Sequence, residues 1–267
     1  MQNNYEEQIN QIIADLTIEE KANMLHGIGL FTSGDVKEKG IPGLETSDGP
    51  MGVRNQFPMD SWFPINLSDD FVSYMPSNSA VSATWNPDCA YAGGKTLGEE
   101  ARGRGKDVIL APGINIKRDP LCGRNFEYMS EDPYLVEEMV VPMIKGIQEA
   151  DVAACVKHFA LNNQETNRLW VDTYVDERTL REIYLPGFKA AVQKANTYSL
   201  MNAYNKFEGV HCSANKRLLD EILREEWGYD GLVTTDWWNL AEHYKEVLAG
   251  NDVKMACGFP HQLEEAV

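Results

Sequence analysis

The sequence has no two cysteines close enough together to suggest a metal knuckle. Its five cysteines (Cys89, Cys122, Cys155, Cys212, Cys257) lie far apart, with no CxxC pair, and no HExxH occurs. Neither a zinc site nor a disulfide framework is indicated, and the odd count suits a reducing compartment. Basic charge is also scarce: 24 lysines and arginines stand against 41 acidic residues, a formal net charge of −17. With no basic patch to offset that deficit, nucleic acid and anionic membrane surfaces are poor partners. A neutral or cationic small ligand is easier to accommodate, although acidity can equally serve solubility alone. No stretch approaches the roughly 18 apolar residues of a membrane span. The opening MQNNYEEQIN lacks the basic and apolar regions of a secretory signal, so the expectation is a soluble cytoplasmic protein. No GxGxxG follows the first strand, which weakens a dinucleotide-binding reading.

What is present is ample apolar material in an alternating order. The 267 residues are 43% hydrophobic, a length at which single α/β barrels often fall. Ile9, Ile12, Ile13 and Leu16 repeat at helical spacing, and Thr17 with Glu20 forms a capping box for a second helix towards Leu25. GIPGLETSDGP (40–50) reads as a short strand ending in turn residues, and residues 55–80 as a long irregular loop. Helices are expected over 86–104, 134–149, 177–195 (capped by Asp176), 214–227 (capped by Ser213) and 239–249. Strands are expected over 107–113, 152–159, 198–204, 231–236 and 252–258. Strands alternating with long helices imply a parallel sheet with crossover connections, here an α/β, TIM-like (β/α)8 barrel left incomplete at its C-terminal end.

In such a barrel the reacting groups sit at the carboxyl ends of the strands. Those ends carry Asp48 and Arg54, then Arg118, Asp119 and Arg124, then Lys157 and His158, then Met201, Asn202 and Tyr204, and finally Asp236 and Trp237. Each has a dull explanation taken singly: a turn, a surface ion pair, a core tyrosine, a helix cap. Agreement at five strand ends makes a polar pocket at one barrel mouth the better account. The segment GLVTTDWW (231–238) is its sharpest element, an aspartate driven against indoles at the end of an apolar strand. Mixed donors and acceptors around tryptophan faces suit a carbohydrate, whose hydroxyls need polar partners and whose ring face lies on an indole. A phosphate would prefer a glycine-rich nest. Glycoside hydrolysis uses two carboxylates, and Asp236 suits the nucleophile, kept ionised by a pKa that nearby Lys and Arg should hold low.

The series SDGPMGVR (47–54), TWNPD (84–88), APGINIKRDPLCGRNFEYMSEDP (111–133), KHFALNNQETNR (157–168), DERTLREIYLPGF (176–188), MNAYN (201–205), GYDGLVTTDWW (228–238) and AGNDVKMACG (249–258) resembles glycoside hydrolase family 3, and within it the bacterial β-glucosidase branch. The resemblance runs through nearly the whole chain. It implies Asp236 as catalytic nucleophile, with Asp48, Arg124, Lys157 and His158 binding the hydroxyls of the terminal sugar. It implies Tyr204 beside the nucleophile, and Met201 and Trp237 as apolar walls. Arg54, Glu165 and Arg168 sit in shared motifs and help to shape the site, while Glu127, Glu131 and Asp132 read as carboxylates that hold their own loop.

Two departures bear on activity. The single-domain branch of the family carries a His-Asp acid/base in a KHFPGHGDT-like loop; here KHFALNNQETNR lacks that second histidine, which disfavours an N-acetylglucosaminidase. The larger branch takes its acid/base glutamate from a C-terminal α/β domain, which this chain does not include. The expectation is therefore the barrel portion of a retaining β-glucosidase that acts on oligosaccharides or β-glucosides, needs no cofactor, and completes its site with that domain in the same or a companion chain. A β-xylosidase of the same family, or a barrel that binds sugar without hydrolysing it, are the alternatives.

Overall fold

The computed structural model describes residues 5–55, 57, 58, 61, 63, 65 and 71–267. Much of the irregular loop expected over 55–80 thus lies outside the described residues. Five parallel strands form the main sheet: β1 (Thr46–Asp48), β2 (Val108–Leu110), β3 (Ala153–Phe159), β5 (Ser199–Asn202) and β8 (Leu232–Thr234), in the order β1-β2-β3-β5-β8. A small separate sheet holds β4 (Asp172–Thr173), β6 (Lys206–Phe207) and β7 (Val210–His211).

The main sheet closes on itself through single bridges. Thr234 of β8 pairs in parallel with Val253, the neighbouring Lys254 pairs in parallel with His26, Gly27 pairs with Ser33, and Thr32 pairs with Glu45 beside β1. The α/β barrel read from the sequence is therefore present, and residues 26–33 supply the closing wall between the last and first strands. The strand expected over 252–258 is reduced to these bridges.

Alternation along the strands sorts their side chains into two cores. Val108, Leu110, Cys155, Met201, Val253 and Met255 cluster inside the ring, with Leu30 and Trp237 over them. Ile109, Ala154, Val156, Leu200 and Val233 face outward and pack under the helices. Burial on both faces explains why the strands read as continuous apolar runs rather than alternating ones.

The helices follow the periodicity unevenly. α1 (Tyr5–Asp15) and α2 (Ile18–Met24) match expectation, and Thr17 with Glu20 forms the capping box. α3 (Asn78–Ala83) precedes α4 (Pro87–Gly103) and α5 (Pro133–Glu149), which pack closely against each other; α5 buries Met139, Met143 and Ile147 on one stripe. A Cβ on Gly94 would lie 2.1 Å from Met143 O and one on Gly146 2.4 Å from Tyr91 O, so only glycine permits this approach. The helix expected over 177–195 is interrupted: α6 (Glu177–Thr179), capped by Asp176 as expected, runs into a π-helical turn (Leu180–Tyr184), and α7 (Pro186–Gln193) starts afresh at a proline. The helix expected over 214–227 is π-helical over Arg217–Glu226, and the side chain meeting its first amides is Asn215, not Ser213. α8 (His243–Leu248) starts later than expected, because Asp236–Glu242 forms a loop; α9 (Pro260–Glu264) ends the described chain. Among the described residues no helix is long and apolar enough to cross a membrane.

Candidate active site

The mouth at the strands' carboxyl ends holds a cavity of ≈ 380 Å³. Asp48, Arg124, Lys157, His158, Met201, Tyr204, Asp236 and Trp237 all line it, as does Arg54, whereas Arg118, Asp119 and Asn202, expected at the same strand ends, do not; Asn202 instead donates to Asn251. Each strand contributes at its end: β1 ends on Asp48 and β2 on Leu110, β3 carries Lys157 and His158, Met201 lies on β5, and Asp236 stands two residues beyond β8. A register shift in β3 between Val156 and Phe159 accompanies two consecutive polar side chains facing the same space.

Lys157, almost fully buried, donates from Nζ to Asp48 Oδ1 at 2.9 Å, and Arg54 lies 3.9 Å from Asp48 Oδ2. Burial pushes the Asp48 carboxyl upward, but Lys157, Arg54 and Arg124 outweigh it and hold it below its ordinary value. Burial likewise disfavours the Lys157 ammonium, and Asp48 with Glu127 reverses that effect and raises its pKa.

Asp236 behaves differently. Its Oδ1 accepts a hydrogen bond from the Trp237 amide at 2.8 Å, whereas Oδ2 has no hydrogen-bond partner among the described residues. Burial raises its pKa, and Arg124 and Lys157 offset this only in part. The expectation that the cations would hold this carboxyl low is therefore corrected. Lys157 spends its hydrogen bond on Asp48 and Arg124 spends one on Glu127, so neither touches Asp236 closely enough to cancel its desolvation.

His158 is buried. Arg124 Nη2 lies 2.8 Å from its Nε2, and Tyr128 Oη lies 3.1 Å from its Nδ1. A guanidinium only donates, so Nε2 accepts and the proton resides on Nδ1. Burial, Arg124 and Lys157 all push the imidazole pKa well down, which keeps it neutral. Asn115 fixes the backbone beneath it, accepting from His158 N at 2.8 Å and donating to His158 O at 2.9 Å.

The apolar walls are equally constrained. Trp237 Nε1 donates to Leu30 O at 2.6 Å, and Tyr204 Oη donates to Trp237 O at 2.7 Å. The guanidinium of Arg168 lies 4.7 Å above the Tyr204 ring and pairs with Glu165 at 3.1 Å. Glu127 takes the Arg124 ion pair and Asp132 caps α5, so both hold their own loop as expected.

Sequence reasoning missed Phe31, Leu110 and Trp238 among the lining residues, and it missed the supporting set Tyr128, Asn115 and Asn162. Tyr128 lies inside the GRNFEYMSEDP motif, a signal that was available; Phe31 sits in an aperiodic segment that carried none. Among the described residues no group of three His, Cys, Asp or Glu side chains is placed to hold a metal ion.

Comparison with known proteins agrees with this geometry. Residues 33–257 match the model of the glycosyl hydrolase family 3 N terminal domain. Over 250 residues the chain is 46% identical to beta-glucosidase BoGH3A of Bacteroides ovatus, covering 94% of this chain and 34% of that protein. It is 45% identical to thermostable beta-glucosidase B of Acetivibrio thermocellus (92% and 33% covered), and 41% identical to an exo-alpha-(1->6)-L-arabinopyranosidase of Bifidobacterium longum (91% and 32% covered). Beta-glucosidase 3B from Thermotoga neapolitana, solved in complex with glucose, superposes with a TM-score of 0.89 at 42% identity, over 97% of this chain and 39% of that one. The chain spans about a third of the length of the curated relatives it matches.

Proposed function

The chain belongs to glycosyl hydrolase family 3, and on that premise we propose that the cavity is the terminal-sugar site of a retaining glycosidase that releases β-D-glucosyl residues. The observation that carries this reading is Asp236 Oδ2, a carboxylate oxygen without a hydrogen-bond partner among the described residues, in a cavity shared with Lys157, His158, Arg124 and Asp48. In this mechanism Oδ2 attacks the anomeric carbon and the bond to the leaving oxygen breaks. The sugar is then held as an ester of Asp236 until water displaces it and restores the carboxylate. Asp48, Lys157 and Arg124 orient the hydroxyls, while Met201 and Trp237 bound the apolar ring face.

The leaving oxygen must take a proton. His158 is a poor source, being neutral with its Nε2 lone pair held by Arg124. We assign the acid/base to a second α/β domain of the whole protein, in keeping with relatives about three times as long. Without that acid the barrel forgoes about 10²–10⁴-fold in rate on ordinary glycosides. Activated aryl glycosides, whose leaving groups need no proton, are then the better substrates.

The test is incubation of the chain with 2,4-dinitrophenyl 2-deoxy-2-fluoro-β-D-glucoside, followed by peptide mass mapping. A covalent fluoroglucosyl adduct on Asp236 supports the reading; reversible binding without an adduct would make the chain a sugar-binding barrel instead. A second reading, a pentopyranose such as xylose as terminal sugar, draws on the relatives named as arabinopyranosidases. Faster trapping by the corresponding xyloside would favour it.

A further inference from the structure

Behind the barrel wall lies an ion pair that the chemistry above does not use. Lys254, 1% exposed, donates from Nζ to Glu246 Oε2 at 2.8 Å, to Asn239 Oδ1 at 2.6 Å and to Ala241 O at 3.1 Å. All three ammonium hydrogens are thereby used. Glu246, on α8, is itself fully buried. Replacing a buried ion pair by apolar residues is often neutral or stabilising, so stability alone gives little reason to bury a lysine here. The two bonds beyond the ion pair supply another reason: both end in the segment immediately following Asp236.

That segment is under constraint. Trp238 has φ +54°, in the left-handed region that costs a bulky residue and persists only where neighbours over-determine it. Its N–H donates to Met255 O at 2.9 Å, one residue from Lys254, and the next residue is the Asn239 that Lys254 holds. Both indoles line the cavity, Trp237 buried and bonded to Leu30 O, Trp238 at its rim and 44% exposed. The strand bodies close the cavity from below, so a group attached to the sugar's anomeric oxygen must lie towards that rim.

We propose that Lys254 is a positioning residue: through Asn239 and Ala241 it fixes Trp238 at the rim as a platform for the leaving group, without touching the sugar itself. The proposal rests on the sugar-site reading above and deepens it.

The experiment is calorimetric titration of the chain with glucose and with phenyl 1-thio-β-D-glucoside, which carries an aromatic leaving group but resists cleavage. Two variants are compared, Lys254→Met/Glu246→Leu, which replaces the ion pair with apolar volume, and Asn239→Ala, which keeps the pair but removes one tether. Each is expected to bind glucose within about twofold of the unmodified chain, while the preference for the thioglucoside over glucose falls about threefold to tenfold, the range of one aromatic contact. Should the double variant fail to fold by circular dichroism, Asn239→Ala decides. An undiminished preference in the folded variants, or no preference in the unmodified chain, overturns the role given to Lys254. Failure of the unmodified chain to bind glucose at all would instead overturn the sugar-site reading.

Discussion

His158 Nε2 lies 3.6 Å from Asp236 Oδ2, but the donor aimed at that nitrogen is Arg124, at 2.8 Å. The contact that resembles a histidine–carboxylate ion pair is thus an approach of two acceptors, both facing the same guanidinium. It follows that the imidazole proton points towards Tyr128 and that Arg124 and Lys157 relieve Asp236 by their charge, beside the hydrogen bond that Oδ1 accepts from the Trp237 amide.

The pH dependence of trapping should reflect this. Asp236 attacks only when ionised, and burial raises its pKa, so the rate of adduct formation should rise with pH through a midpoint above the ordinary aspartate range. Arg124 opposes the shift, so Arg124→Met should move the midpoint higher still. A midpoint that stays put in that variant would remove Arg124 from the electrostatics of the nucleophile, whatever happens to the absolute rate.

Replacing Asp236 by Asn should abolish the adduct without loss of stability. The native carboxylate is buried with one oxygen unpartnered among the described residues, so the neutral amide avoids a desolvation penalty that the fold now carries. The expected result is a melting temperature equal to or above that of the unmodified chain, with no mass shift on incubation. A substantially lower melting temperature would mean that the aspartate is structural.

The barrel and the convergence of its candidate site residues were legible in the sequence because strand ends in a parallel barrel converge by geometry, whatever the connections do. Asp48, Lys157, Met201 and Asp236 could be placed from strand boundaries alone. Three things were not legible. The wall formed by residues 26–33 pairs through single bridges, too short to leave a period of two. The π-helical turns at Leu180–Tyr184 and Arg217–Glu226 have helical composition and differ only in hydrogen-bond register. The direction of the Asp236 shift depended on where Lys157 and Arg124 spend their hydrogen bonds, which requires coordinates.

Asp48→Asn should cost ~2 kcal/mol at neutral pH, because it strands the buried Lys157 ammonium; this is below the 3–5 kcal/mol of fully buried pairs, since Asp48 keeps some solvent contact. The folded-state pKa of Asp48 is depressed, so its contribution is present above the unfolded carboxylate pKa and fades as pH falls through the folded value. Urea denaturation at neutral pH and again in acid should show the difference between variant and parent shrinking. A constant difference would deny the Lys157 pairing its energetic role.

His243 gives the fold a second acid sensitivity of opposite chemistry. Fully buried, it accepts from Phe259 N–H at Nδ1 (3.2 Å) and donates from Nε2 to Leu25 O (3.1 Å), so both nitrogens are committed in the neutral ring. Burial pushes its pKa down from 6.5 to about 4. Between those values the unfolded chain binds the extra proton and the folded one does not, so stability is full above 6.5 and declines as pH falls towards 4. His243→Gln, which cannot titrate, should flatten that segment of the stability–pH curve; an unchanged slope would assign the acid loss elsewhere.

The Lys254–Glu246 pair predicts an asymmetry in stability that complements its role at the rim. Lys254→Met leaves Glu246 as an uncompensated buried carboxylate and also frees Asn239 and Ala241, a loss of about 3–5 kcal/mol in chemical denaturation. Adding Glu246→Leu removes the stranded charge, so the double variant should recover most of that loss. Recovery of stability together with a lost preference for the aromatic glycoside separates the two roles of Lys254. If the double variant stays as unstable as the single one, the bonds to Asn239 and Ala241 are what hold this wall together, and the ion pair adds little.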